Sequence, residues 1–192
     1  MIRIAVIGDI GSGKSYAAKQ FGYPVFNADK EVEKLYKKNR NCYRKLKKIL
    51  PRFISSFPIK KSEISNAIIG EKNNLKSIVK IVHPEINFQM KKFIKKNRKK
   101  KFVILDIPLL LENKINKKND ILIFIQASKK EILKRLKKRT NINFKIIKKF
   151  KKIQLSIEFK KNKSNYIIKN NFNNISLENN VKNTLKKILS NA

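Results

Sequence analysis

An α/β fold, a parallel sheet with helices packed against it, is what this sequence predicts, and three observations predict it. Short apolar runs alternate with longer stretches of helical period. The runs look apolar throughout, as strands buried on both faces of a parallel sheet do. The first run leads straight into a glycine-bearing loop, GDIGSGKS at residues 8–15, and from there into the amphipathic stretch SYAAKQF.

Residues 2–7 form the first predicted strand, and 24–27 (PVFN), 102–106 (FVILD), 121–126 (ILIFIQ) and 166–168 (YII) the other four. Ser128 and Glu131 in SKKE read as a capping box, with Ile132, Leu133 and Leu136 as the apolar stripe of the helix it opens. Ser176 is expected to open the last helix, which sets Leu177, Val181, Leu185, Ile188 and Leu189 on one face. Between the second and third strands, residues 28–101 far exceed the ~30 residues of a βαβ unit, so something is inserted. Helical stretches there, separated by Pro51, Pro58, Gly70 and Pro84, predict a small helical subdomain, with Pro84 breaking the helix behind His83. The KKNRKKK run at 95–101 reads as a solvated helix end.

Chain length suits a single domain over residues 1–192 with that insertion. The balance of 48 Lys and Arg against 13 Asp and Glu gives a net charge of +35, a field that favours polyanionic or phosphorylated partners. Only seven of the 48 basic residues are Arg, the side chain that clamps phosphates and reads guanine, so most of the charge is expected to be solvated surface, with no specific nucleic-acid partner. Cys42 is the single cysteine, which excludes an intrachain disulfide and a zinc-type cysteine cluster and fits a reducing cytoplasm. No apolar run approaches the ~18 residues of a membrane helix, and the opening MIRIAVIG is too short for a signal segment, so a soluble, unprocessed chain with no membrane partner is expected.

GDIGSGKS fits the phosphate-loop pattern G-x-x-x-x-G-K-[ST], with Gly8, Gly13, Lys14 and Ser15 in the four fixed places and the required strand before and helix after. In such a loop glycines let successive amides turn toward phosphate oxygens, Lys14 reaches the β and γ phosphates, and Ser15 offers a hydroxyl to Mg²⁺. Asp29, just past the second strand, is placed either to take a proton from an attacking hydroxyl or to complement a helix dipole. Asp106 ends the third strand, as a Walker-B-like acid that holds Mg²⁺ through water or as strand-end punctuation. Arg135 and Arg139 share a helix face by spacing, either as solvated charges or as part of a lid with the lysine-rich segment that follows. His83, the only histidine, has no partners for a metal site and reads as a structural or substrate-contact residue. The expected fold is therefore α/β of the P-loop NTPase type: three layers, a five-stranded parallel sheet, an inserted helical subdomain and a lid.

The order and spacing of the motifs together resemble the dephospho-CoA kinase family. They run as IGDIGSGKS, FNAD with Asp29, VHP with His83, LDIPLLLE, KRLKKR with Arg135 and Arg139, Gln154, and NYIIKNN. The resemblance implies transfer of the ATP γ-phosphate to the ribose 3′-hydroxyl of dephospho-CoA, with ATP and Mg²⁺ as cofactors. It implies ATP contacts from Gly8, Ile10, Gly11, Ser12, Gly13, Lys14, Ser15 and Tyr16; catalytic roles for Asp29 (base), Lys14 and Arg139 (lid arginine); substrate contacts from Asp29 and His83; and metal contacts from Ser15 and Asp106. It further implies a CoA-binding subdomain over about 30–101, a lid over about 140–160, and a monomer or weak homo-oligomer. The sequence departs from the family pattern in four places: Asp9 stands where glycine is usual, Tyr16 for threonine, lysines at 149, 151 and 152 where an arginine often precedes Gln154, and Asn165 for aspartate. Asp9 must then point away from the phosphates or be neutralised by lysines. Two other readings remain at this level, another small P-loop kinase of nucleosides or nucleotides and, from a different class, a basic nucleic-acid-binding protein.

Overall fold

The computed structural model describes residues 1–139 and 143–191. In chain order its elements are β1 (Ile2–Gly8), α1 (Lys14–Gln20), β2 (Val25–Asn27), α2 (Ala28–Lys38), α3 (Arg40–Ile49), α4 (Lys61–Gly70), α5 (Asn74–Lys96), β3 (Phe102–Asp106), β4 (Ile121–Gln126), α6 (Lys129–Lys137), α7 (Phe144–Ile153), α8 (Ile157–Asn162), β5 (Tyr166–Lys169) and α9 (Asn174–Ser190). They fall into two units, one of Met1–Asn27, Asn97–Ile142 and Ile153–Ala192, the other of Ala28–Lys96 and Asn143–Lys152.

The first unit is built on the five predicted strands, all parallel in the order β2-β3-β1-β4-β5. Register sets Ile4 opposite Ile104 on one side and Ile121 on the other. Side chains alternate along a strand, so Ile4, Val6, Phe102, Ile104, Ile123 and Ile125 leave one face and meet Ala17 and Ala18 of α1 and Leu177, Val181 and Ile188 of α9. Ala5, Ile7, Leu105 and Phe124 leave the other face and are equally buried, which is why these strands read as continuous apolar runs. At the end of β4's entry loop, Asp120 accepts the Arg3 guanidinium at 2.8 Å and the Lys117 amide at 2.9 Å, closing the bottom of β1 on the β4 side. Asn165, where aspartate is common, pairs with Leu122 twice, its amide donating to the Leu122 carbonyl at 2.9 Å and its side-chain oxygen accepting the Leu122 amide at 2.8 Å. Of the Asn165 side chain only the oxygen is used toward Leu122, so a carboxamide replaces the carboxylate there without loss of that bond.

Four expectations are corrected. β5 is an edge strand with Ile167 43% exposed, not a fully buried one. The last helix opens earlier than Ser176, because Asn173 is the cap and accepts the Ser176 amide at 3.0 Å. On that helix Thr184, not Leu189, completes the buried face: Leu189 lies about 120° around the axis from Leu177 and is 38% exposed. Pro84 does not break its helix, since α5 runs unbroken from Asn74 to Lys96. Pro84 costs the backbone one hydrogen bond, but its ring faces solvent while Leu75, Ile78, Val82, Ile86 and Met90 bury one continuous stripe that holds the helix on both sides of it. The 95–101 run behaves as expected, with α5 ending at Lys96 and Arg98 to Lys101 exposed.

In the second unit α2, α3 and α4 each pack on α5. Glu63 in the first turn of α4 accepts five hydrogen bonds, from the Ser55 amide (2.7 Å) and hydroxyl (2.8 Å), the Ser56 amide (3.0 Å) and hydroxyl (2.9 Å) and the Lys60 amide (2.8 Å). Burial by itself would raise this carboxyl, but the hydrogen bonds outweigh it and bring it down to about 2. Lys149 of α7 donates to the carbonyls of Ile68, Ile69 and Glu71 at the end of α4, using a cation where the helix leaves carbonyls without partners. Cys42 is buried on α3, and burial, with the Glu85 carboxylate adding to it, pushes its thiol up to about 11.

The folded pKa of Glu63 lies below its ordinary value, so its contribution to stability is complete above about pH 4.5 and is lost as pH falls toward 2. Glu63→Gln is expected to lower unfolding free energy at pH 7 by on the order of 2–3 kcal/mol and to flatten the pH dependence of stability between those limits, measured by urea unfolding across the range. Cys42 is expected to stay unreactive toward a maleimide at pH 7.5 in the folded protein and to react on unfolding, followed by mass spectrometry.

Candidate active site

The loop between β1 and α1 leaves the sheet at the end of its central strand and is shaped by its glycines. Gly13 adopts φ +93, and a Cβ placed on it would lie 2.3 Å from the Asn170 side-chain nitrogen, so no other residue fits without displacing that group. Gly8 is similarly confined: a Cβ there would come within 2.8 Å of the Ile125 carbonyl and 2.9 Å of Ser12 Oγ. Lys14 folds back over the loop, donating to the carbonyls of Asp9 at 2.8 Å and Gly8 at 3.3 Å. Asp9 turns one carboxylate oxygen onto the Ile10 amide at 2.7 Å, so the acid that stands in the loop caps the loop's own backbone.

This cradle fits a polyphosphate. Tyr16 and Ala17 donate to the Gly13 carbonyl at 3.1 and 3.0 Å, so α1 opens directly from the loop and sets the positive end of its dipole beside it. Ser12 Oγ is buried and has no hydrogen-bond partner among the described residues, a polar atom that a phosphate oxygen would satisfy. Ser15 is exposed at the start of α1, within reach of solvent and ligand. Asp106 ends β3, the strand next to β1, is 2% exposed, and accepts the Asn27 side-chain amide from the facing position of β2. The described residues contain no cluster of three His, Cys, Asp or Glu suited to a metal. One carboxylate and one hydroxyl are nevertheless the sparse protein donor set that Mg²⁺ accepts when phosphates and water supply the rest.

The phosphate-loop residues Gly8, Ile10, Gly11, Ser12, Gly13, Lys14, Ser15 and Tyr16 thus share one edge of one sheet with Asp106. Asp29 and His83 belong to the second unit, Asp29 exposed in the first turn of α2 two residues beyond β2, and His83 on α5 with its Nε2 buried and unpaired. Arg135 and Arg139 do not share a helix face: α6 stops at Lys137, Lys138 caps it, and Arg139 lies beyond, its amide tightening the last turn on the Leu136 carbonyl at 3.2 Å. Arg135 instead lies over the Phe172 ring at 4.9 Å, and Arg139 is exposed. Of the segment expected as a lid, residues 140–142 lie outside the described residues.

Sequence reasoning assigned nothing to three side chains that the structure brings to this edge. Glu112, at the end of LDIPLLLE, accepts Lys160 Nζ at 2.7 Å and the Leu155 amide at 3.0 Å, and both side chains of the pair are buried. Lys160 and Gln154 line a small cleft with Ile7, Gly8, Lys14 and Glu112. Asn170 donates to the Ser12 carbonyl at 2.8 Å. Lys160 and Glu112 carry no local signal, being a lysine among lysines and an acid after an apolar loop; Asn170 lies inside the quoted NYIIKNN, where only its position hinted at a role.

A glycine-shaped phosphate cradle at the end of the central parallel strand, with an acid ending the neighbouring strand, defines a nucleotide-using phosphotransferase of the P-loop kinase class. Solved structures agree on the fold: TT1252 from Thermus thermophilus superposes with TM-score 0.77 at 24% identity, covering 99% of this chain and 97% of that one. A dephospho-CoA kinase from Campylobacter jejuni gives TM-score 0.62 at 23% identity, covering 97% and 96%. The chain belongs to the dephospho-CoA kinase family, whose model, described as CoaE: Dephospho-CoA kinase, matches residues 2–176. A relative from Wolbachia pipientis wMel named dephospho-CoA kinase is 32% identical over 160 residues, 81% of this chain and 82% of its own length. Membership makes the chain a kinase of coenzyme A biosynthesis. Among the described residues no helix is long and apolar enough to cross a membrane.

Gly13→Ala is expected to lower the melting temperature and to abolish nucleotide binding, because the new methyl must displace Asn170 and hold φ at +93, a strain on the order of 1–3 kcal/mol before any contact is counted. Thermal unfolding and titration with a fluorescent ATP analogue check both effects.

Proposed function

We propose that this chain transfers the γ-phosphoryl group of Mg-ATP to the 3′-hydroxyl of the ribose of dephospho-CoA, giving coenzyme A and ADP. The observation that carries the reading is the phosphate cradle, with its buried unpaired Ser12 hydroxyl and its lysine turned over the loop, in a chain of this family. The ribose oxygen attacks the γ phosphorus in line, the bond to the β–γ bridging oxygen breaks, and the hydroxyl proton passes to the carboxylate of Asp29. Lys14 leaves the carbonyls of Gly8 and Asp9 for the β and γ phosphates, exchanging neutral acceptors for charged ones. The loop from Gly8 to Tyr16 wraps the triphosphate. Arg139, exposed beyond α6, supplies positive charge to the phosphoryl group in transit.

The Ser15 hydroxyl and, through water, Asp106 would hold Mg²⁺, which would supply charge neutralisation for the β and γ phosphates. Asn27 fixes the Asp106 carboxylate through its side-chain amide, so the acid presents a set orientation. The helices of 28–96 form the binding region for the CoA substrate, with Asp29 and His83 as contacts. His83 Nε2, buried without a partner, is a polar group that a ligand would satisfy. The segment over about 140–160, described from Asn143 onward, is the lid.

A coupled ADP-release assay with Mg-ATP, run against dephospho-CoA and a panel of nucleosides and nucleoside monophosphates with product mass checked, tests the acceptor. Turnover is expected with dephospho-CoA, and turnover only with a nucleoside or nucleotide would overturn the assignment. Asp29→Asn is expected to lower kcat by about 10²–10⁴-fold while the KM for ATP changes less than about threefold, as loss of a general base does. Unchanged kcat in that variant would remove Asp29 from the role of base.

A further inference from the structure

We infer that Asn170 is a positioning residue for nucleotide binding: its side-chain amide pins the Ser12 carbonyl and so sets the shape of the phosphate loop. The inference rests on the reading that this loop receives a nucleotide's phosphates. Asn170 follows β5 directly and is 4% exposed. Its backbone amide continues the ladder onto the Gln126 carbonyl at 2.7 Å, which locks its main chain to the end of β4. Its side chain makes two bonds of opposite sense: Nδ2 donates to the Ser12 carbonyl at 2.8 Å, and Oδ1 accepts the Phe172 amide at 2.8 Å.

The consequence for the loop follows from peptide geometry. In a trans peptide the carbonyl of Ser12 and the N–H of Gly13 point in opposite directions across one plane. A donor that holds the carbonyl toward β5 therefore turns the Gly13 amide away from β5. The requirement for glycine at 13 has the same origin, since the atom that a Cβ would meet at 2.3 Å is Asn170 Nδ2. The phosphate loop is thus shaped by a neighbour 158 residues away in sequence as well as by its own glycines.

Asparagine is suited to this task in a way its relatives are not. Aspartate retains an acceptor for Phe172 but sets an oxygen against the Ser12 carbonyl; serine is too short to keep both bonds; glutamine is one methylene too long for the space against Gly13. The Phe172 amide bond closes an Asx turn that carries Phe172 at φ 63, and the ring so placed lies under the Arg135 guanidinium at 4.9 Å. One side chain therefore ties the turn after β5 to the phosphate loop and presents the ring on which α6 rests its arginine.

Asn170→Asp changes one donor to an acceptor with almost no change of shape. The dissociation constant for a fluorescent ATP analogue with Mg²⁺ is expected to rise at least tenfold, and the KM for ATP with it. The KM for dephospho-CoA should stay within twofold, and the melting temperature of the nucleotide-free protein within a few degrees. Amide exchange in residues 8–14 of that protein should quicken. Should the aspartate variant fail to fold, Asn170→Ser, which drops the bond to Ser12 without adding charge, is read by the same measurements. Nucleotide affinity within twofold of wild type in a folded variant overturns the inference, as does an equal loss for both substrates. Wild-type protein that binds no nucleotide overturns the parent reading and this inference together, whereas wild-type binding with an unaffected variant removes this inference alone.

Discussion

The central position of β1 is the constraint from which the rest of the first unit follows. Its backbone groups are paired on both sides, to β3 as far as Ala5 and to β4 as far as Gly8, so the chain that leaves it departs from a strand held by two ladders. A loop that must hold its amides still while charge moves needs that kind of anchorage. The neighbouring strand ends in Asp106 and the far one runs into Asn170, so the groups that flank the phosphate loop are delivered by the same sheet. Parallel pairing is what makes this economical: all five strands end on one edge, and their loops converge there.

The loop itself is held by polar contacts beside the close packing of Gly11 on Ile132 and Leu136. Lys14 and Asp9 bond to loop backbone, Asn170 bonds across from β5, and Ser12 Oγ has no partner among the described residues. Glu112 adds a second buried anchor, joining the loop after β3 to Leu155 and Lys160. Removing either member of a buried pair of this kind leaves a charge without compensation, at about 3–5 kcal/mol, so the pair constrains both segments whatever its net contribution to stability. The site thus combines a rigid floor with one orphan hydroxyl, which is the state expected of a pocket shaped for a charged ligand.

The excess of lysine plays little part in any of this. Thirteen acids cannot neutralise 48 basic residues, and the exposed pairs Lys34–Glu31 and Lys182–Glu178 are of the kind that contribute little. Where a basic residue matters structurally it is because burial or a helix end gives it a defined partner: Arg3 on Asp120, Lys160 on Glu112, Lys149 on the terminal carbonyls of α4. In the second unit the corresponding organiser is an acid, Glu63, which gathers five donors around the entry to α4.

By itself the sequence determined the five strands, the phosphate loop, Asp106 at a strand end and the family, because these depend on local pattern: uninterrupted apolar runs, fixed glycine spacing and motif order along the chain. It misjudged Pro84, Ser176, Leu189 and the Arg135–Arg139 pair for a shared reason, that helix ends and helix faces are set by competition between local propensity and packing. The apolar stripe of α5 carried the helix through Pro84, Asn173 took the cap ahead of Ser176, and α6 stopped short of Arg139. Only the tertiary structure decided that Asn170 meets Ser12, that Lys160 meets Glu112 and that Asp9 folds onto its own loop. Those contacts join residues far apart in the chain, or depend on a backbone turn, and hydrogen-bond partners chosen by three-dimensional proximity leave no periodicity to read.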